Sequence, residues 1–146
     1  GLADADFSYT NSAIFEDLTH QPTAGEARSR FYSFENRLTG TWHKTNVNTG
    51  VSFNRPEFEI AQAFSHFTYH VSDGEIMVLD LQGMIDDHGR VTLTDPAVTT
   101  RDASVFRNRT NLGERAMQNF FRGHTCNEHC RRLQLPVFAG RGGGGR

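Results

Sequence analysis

Both cysteines of the chain fall in one short segment, His124-x-Cys126-x-x-x-Cys130. Thiolate and imidazole are the ligands zinc takes in closed tetrahedral sites. Three such groups packed into one short segment can wrap a single ion, and a fourth must come from elsewhere. His66, flanked by Phe64 and Phe67, is the candidate. His129 lies inside the motif but adjoins Cys130, so it is expected to point away. The competing reading is two unlinked buried cysteines and a surface histidine. With all four positions ligated no site is left open for catalysis. The metal would then be a structural staple, contributing on the order of 10 kcal/mol to folding.

The second chemical signal is Asp80, within the run Glu75–Leu81 (EIMVLDL). A carboxylate in an otherwise buried strand is costly unless a cation or hydrogen-bond donors satisfy it. The alternative is an edge strand with Asp80 in solvent. A third signal is Lys44, the only lysine among 15 basic residues.

The elements that must position these groups follow from periodicity and turn chemistry. Residues 1–30 are polar and weakly patterned, which predicts loop with one short helix. Phe31–Leu38 alternates as a short strand does. Thr39-Gly40 and the Asn-rich stretch Asn46–Gly50 read as loop. Pro56-Glu57 opens a helix, with proline at a first-turn position and an early carboxylate suited to the dipole. Ile60, Ala63, Phe64 and Phe67 recur at helical spacing, and Asp73-Gly74 stops the helix. Glu75–Leu81 is a strand, Gly83–Arg90 a polar loop, and Val91–Thr94 a further short strand. Asn111–Arg122 is helical, with a core stripe of Ala116, Met117, Phe120 and Phe121. The Gly-rich tail, residues 139–146, is expected to be disordered.

Bulk properties narrow the function. The chain has 146 residues, 36% of them hydrophobic, with 14 glycines besides, enough for a core of ordinary size. A net charge of −2 argues against nucleic-acid binding through bulk electrostatics. No apolar run approaches the roughly 18 residues a membrane span needs. The N-terminus lacks both an initiator methionine and the features of a signal peptide. We therefore expect a piece of a longer protein in a reducing cytoplasmic setting, where two cysteines at metal spacing are more natural than a disulfide. The sequon Asn108-Arg109-Thr110 carries little weight in that setting.

Four segments, in order, resemble the C-terminal lobe of the alpha-type (atypical) protein kinases: Ala63–Gly83 (AFSHFTYHVSDGEIMVLDLQG), Leu93–Pro96 (LTDP), Thr110–Phe121 (TNLGERAMQNFF) and His124–Pro136 (HTCNEHCRRLQLP). Glu35–Gly50 resembles that family's hinge and the Asn-rich loop after it. The resemblance implies an α+β fold: residues 1–30 as a remnant of the N-lobe or an irregular lead-in, and 31–138 as hinge and C-lobe. It implies a structural zinc on His66, His124, Cys126 and Cys130, the set that spacing favours. It further implies Ser/Thr protein kinase activity with Mg-ATP: Asp80 and Gln82 holding magnesium, Asp95 as the catalytic aspartate, Lys44 and Asn48 beside it, and Glu35 and Arg37 where the hinge meets adenine.

Three departures from the family pattern qualify that expectation. No lysine precedes the hinge, where the family keeps its ATP-binding lysine. The glycine-rich loop is reduced to Asn108–Gly113, in which Gly113 alone survives, and the Gly140–Gly145 match opens no helix. The stretch Asp86–Arg90 lengthens the loop between Asp80 and Asp95, and is expected to bulge into solvent. This chain by itself is thus expected to transfer phosphate poorly or not at all. The alternative function is a zinc-stabilised pseudokinase or protein-binding module.

Overall fold

The computed structural model describes residues 7–25 and 30–138. The predicted disordered tail lies outside the described residues. The elements in chain order are β1 (Phe7–Tyr9), β2 (Ser12–Asp17), β3 (Arg30–Glu35), β4 (Thr41–Lys44), a 3-10 turn (Pro56–Phe58), α1 (Glu59–Val71), β5 (Ile76–Leu79), β6 (Gln82–Ile85), β7 (Val91–Thr94), β8 (Ala97–Thr100), α2 (Glu114–Gly123) and α3 (Glu128–Arg132).

A four-stranded sheet in the order β1-β7-β6-β4 carries the site, with β1 parallel to β7 and the other pairs antiparallel. Successive side chains of a strand point to opposite faces. Val91 and Leu93 of β7 therefore share one face, where with Leu81 they pack on Ile60, Ala61 and Phe64 of α1. Thr92 and Thr94 lie on the other. There Lys44, Gln82 and Thr94 stand in register across β4, β6 and β7. A second core joins Met77 and Leu79 of β5 to Ala116, Met117, Phe120 and Phe121 of α2, the stripe expected from the sequence. Strands β5 and β8 form a two-stranded antiparallel sheet, and so do β2 and β3. The β2–β3 hairpin leaves Ile14, Phe15, Phe31 and Phe34 exposed.

Several expectations change. Phe7–Tyr9 and Ser12–Asp17 form strands and not a helix, because β1 pairs with β7, a partner 84 residues away, and β2 pairs with β3. The segment from Gly83 is strand β6 and not loop. Gly83 is there because the chains close tightly: a Cβ on it would lie 2.1 Å from the Thr92 carbonyl oxygen. Strands β4 and β8 and the short helix α3 were also not anticipated. Asp80 is neither embedded in a strand nor on an edge. It follows the end of β5 in a left-handed conformation, φ +59°. Asp86–Arg90 closes the β6–β7 hairpin, with Asp86 N–H donating to the Arg90 carbonyl at 3.1 Å and the Asp86 carboxylate paired with the Arg90 side chain at 2.6 Å. The turn is largely solvent-exposed, as a bulge would be. Among the described residues, no helix is long and apolar enough to cross a membrane.

Candidate functional site

Two sites are built from these elements. The first is the histidine–cysteine cluster. His66 projects from α1, which forms because its apolar stripe and the Pro56 turn favour a helix here. His124 is the C-cap of α2; its backbone is extended, its N–H still donates to the Phe120 carbonyl at 2.8 Å, and its ring stacks on Phe120. Asn127 caps α3, accepting from Cys130 N–H at 3.2 Å and donating to the Glu59 carbonyl at 2.8 Å, which ties α3 to the start of α1.

These contacts bring one ligand atom from each of His66, His124, Cys126 and Cys130 within 4.8 Å of one another. Cys126 Sγ lies 3.7 Å from His66 Nδ1, and Cys130 Sγ lies 3.5 Å from His124 Nε2. His66 and Cys130 are almost wholly buried. Burial, reinforced by the neighbouring His66, pushes the His124 imidazole down to about 4. Burial and then His70 push His66 down as well. Both imidazoles are thus held neutral at neutral pH, the state that ligates a metal. Burial raises the Cys130 thiol, and the cation would have to displace its proton. Two nitrogens and two sulfurs in a closed, buried group fit a tetrahedral thiophilic ion. His129 is not in the group, and its Nδ1 is buried without a hydrogen-bond partner among the described residues.

The second site lies on the sheet face opposite α1. Lys44 Nζ is 2.8 Å from Asp80 Oδ1 and donates to Gln82 Oε1 at 3.3 Å. Gln82 Nε2 donates to the Asp95 carbonyl at 3.5 Å. Asp95, exposed and left-handed (φ +46°), occupies the tight turn between β7 and β8. Thr94, in register with Gln82, donates its hydroxyl hydrogen bond to the Glu35 carboxylate, which brings the end of β3 onto this face. A groove of about 440 Å³ continues along the face, lined by Ser8, Arg37, Met84, Asp86, Arg90 and Thr92.

The structure thus gathers Lys44, Asp80, Gln82, Asp95 and Glu35, with Arg37 lining the adjoining groove. It does not bond Asn48 or Gly113 to them. Asn48 is half-buried in the turn before Gly50 and makes no side-chain hydrogen bond among the described residues. Gly113 starts α2 with φ +70°, its N–H donating to Asn111 Oδ1 at 3.3 Å.

Sequence reasoning missed a buried polar group behind Asp80: Thr45, Asn46, Gln62 and Ser65. The available signal was the pair of polar residues, Gln62 and Ser65, set at helical spacing among the apolar residues of α1.

The Alpha-kinase family model matches residues 3–130. Alpha-protein kinase vwkA of Dictyostelium discoideum is 36% identical over 107 residues, covering 73% of this chain and 17% of that protein. Transient receptor potential cation channel subfamily M member 7 of Homo sapiens is 40% identical over 114 residues, covering 73% of this chain and 6% of that protein. Among solved structures, the apoenzyme alpha-kinase domain of myosin-II heavy chain kinase A superposes with a TM-score of 0.73 at 32% identity, covering 89% of this chain and 47% of that one. The same kinase domain in complex with ADP gives a TM-score of 0.72 at 32% identity, covering 89% and 48%. The chain therefore spans about half of the solved kinase domains it matches, and a smaller share of the curated relatives. The α+β alpha-kinase fold expected from the sequence is borne out.

Proposed function

The chain belongs to the alpha-kinase family, and from that premise we propose that it supplies the phosphoryl-transfer face of a protein serine/threonine kinase using Mg-ATP. In this reading the hydroxyl oxygen of a substrate Ser or Thr attacks the γ-phosphorus of ATP. The O–P bond forms as the bond from the γ-phosphorus to its bridging oxygen breaks, and ADP departs with that electron pair. Asp95, whose exposed carboxylate has no ion-pair partner among the described residues, orients the hydroxyl and takes its proton.

The observation that carries the proposal is the position of the Lys44 ammonium. It touches oxygens of both Asp80 and Gln82, so two hard donors already share one cation. Magnesium, when bound, would neutralise the phosphate charge at this corner. Asp80 and Gln82 are the residues proposed to hold it, and Lys44 and Asn48 are proposed to flank Asp95. Glu35 and Arg37 are proposed to meet adenine, and the groove beside them has a volume suited to a nucleotide. Gly113 would lend its backbone to the phosphate or substrate side. Residues 31–138 form hinge and C-lobe in this proposal, and 1–30 a remnant of the N-lobe or a lead-in to it. The cluster of His66, His124, Cys126 and Cys130 is proposed to hold a structural zinc, and the two free thiols accord with a reducing cytoplasm.

The test is transfer of labelled γ-phosphate to a Ser/Thr peptide by the longest product of the gene. Asp95→Ala is expected to lower transfer at least about a hundredfold, with folding unchanged by circular dichroism. Undiminished transfer by that variant refutes the assigned role. One observation favours a second reading, a zinc-stabilised binding module without transfer activity: the stretch Asn108–Gly113 keeps a single glycine where the family resemblance leads one to expect a glycine-rich loop. An intact gene product that loads zinc but transfers no phosphate would establish that reading.

A further inference from the structure

Asn46 is fully buried, and its side-chain amide is engaged at both ends. Oδ1 accepts the Leu81 N–H at 3.0 Å, while Nδ2 donates to Gln62 Oε1 at 3.3 Å and Ser65 Oγ at 3.1 Å. The Leu81 carbonyl accepts from Thr45 N–H at 2.8 Å and from Thr45 Oγ1 at 3.0 Å. Behind them, Gln62 Nε2 donates to the Thr45 carbonyl at 2.7 Å, and Ser65 Oγ to the Val78 carbonyl at 2.7 Å. Both backbone groups of Leu81 are thus fixed by two consecutive residues that directly follow Lys44.

The residue so anchored is the one after Asp80, and Asp80 is left-handed. That conformation is uncommon for any residue but glycine and persists where the surroundings over-determine it. With Leu81 held on both sides, the direction of the Asp80 carboxylate is set, and it points at Lys44. An asparagine suits the position because one planar group carries an acceptor for Leu81 and donors for Gln62 and Ser65. An aliphatic residue would orphan the Leu81 N–H, and an aspartate would bring a charge into the core.

We propose that Asn46, with Thr45, is a positioning residue: it locks the Leu81 peptide so that Asp80 presents its carboxylate to the cation site. The cation-site part rests on the kinase reading above; the positioning itself does not.

The experiment compares Asn46→Ala, Thr45→Val and Ser65→Ala in the full chain, with the His/Cys cluster preloaded with Zn²⁺. Ser65→Ala loosens the same network but keeps the Leu81 bonds. Leu81 amide hydrogen exchange is expected to accelerate at least about tenfold in Asn46→Ala and to stay near wild type in Ser65→Ala. The affinity for Mn²⁺, read by water-proton relaxation, is expected to fall about tenfold in Asn46→Ala, less in Thr45→Val, and by under about twofold in Ser65→Ala. A merely structural role would scale with lost stability and would not separate the variants in this order. Should Asn46→Ala not fold, Thr45→Val carries the test, since it deletes one hydroxyl at nearly constant shape. The proposal is overturned if the folded variants keep wild-type Leu81 exchange and a crystal structure shows Asp80 still left-handed against Lys44. If the wild-type chain binds no Mn²⁺ that Asp80→Asn abolishes, the magnesium assignment fails; the exchange and crystallographic results still decide the positioning.

Discussion

Consider stripping the zinc proposed for the His66–His124–Cys126–Cys130 cluster with a strong chelator under reducing conditions. In the folded chain His66 and Cys130 are sealed from solvent, the latter against Ala63 and Leu135. Without an ion the four groups are left with two nitrogen–sulfur contacts of 3.5 and 3.7 Å, weak substitutes for coordination. A structural zinc supplies about 10–16 kcal/mol in small metal-folded domains, while net domain stability is only about 5–15 kcal/mol. Removal is therefore expected to abolish cooperative unfolding or to leave a remnant of it. Even a loss of 5 kcal/mol lowers the melting temperature of a chain this size by at least about 10 °C. Elemental analysis should give about one zinc per chain before treatment. Differential scanning calorimetry before and after chelation, with zinc added back, reads the effect. A metal-free chain that melts within about 2 °C of the loaded one refutes the staple, whatever the residues' spacing.

Tyr9 buries its hydroxyl without a hydrogen-bond partner among the described residues, and burial raises its phenol well above the ordinary value near 10. The unfolded chain ionises near pH 10 while the folded one stays neutral, so stability is full below about pH 10 and declines above it. Tyr9→Phe should flatten that alkaline decline in urea titrations and match or exceed wild-type stability at pH 7; a steeper decline in the variant counts against the argument. Gly50 is left-handed (φ +87°), and a Cβ there would sit 2.0 Å from the Ala116 carbonyl oxygen. Gly50→Ala is accordingly expected to cost at least about 2 kcal/mol by urea denaturation, and a loss under about 0.5 kcal/mol would mean that the loop does not seat on α2 as described.

The histidine–cysteine cluster was the most legible grouping in the sequence, because three of its residues are local and the fourth sits beside two phenylalanines of a clear helical stripe. The corner of Lys44, Asp80, Gln82 and Asp95, proposed above for phosphoryl transfer, was legible as a set only through resemblance, although Asp80 and Lys44 stood out singly. Lys44, Asp80, Gln82 and Asp95 come from separate strand ends and turns, and no local period joins them. The setting of Asp80 was misjudged because apolar residues flank it on both sides, Ile76–Leu79 before and Leu81 after, whereas the strand ends at Leu79 and Asp80 turns left-handed. Strand β6 was concealed by Gly83, ordinarily a breaker, which is required here by close packing. Helix α3 spans five residues, too few to establish a period. Asn46 read as turn chemistry, because nothing in a loop of asparagines marks the one that is buried.

Gln62, Ser65 and His66 lie within about 100° of arc on α1. Two of them grip the corner behind Asp80 and the third belongs to the histidine–cysteine cluster. The helix therefore acts as a single rod clamped at two points. A slide of one residue rise, about 1.5 Å, or a small roll would disturb both clamps at once. Any ion that fixes His66 also fixes the axial and rotational setting of the surface to which the Leu81 peptide is referred, so the cluster and the corner share their degrees of freedom.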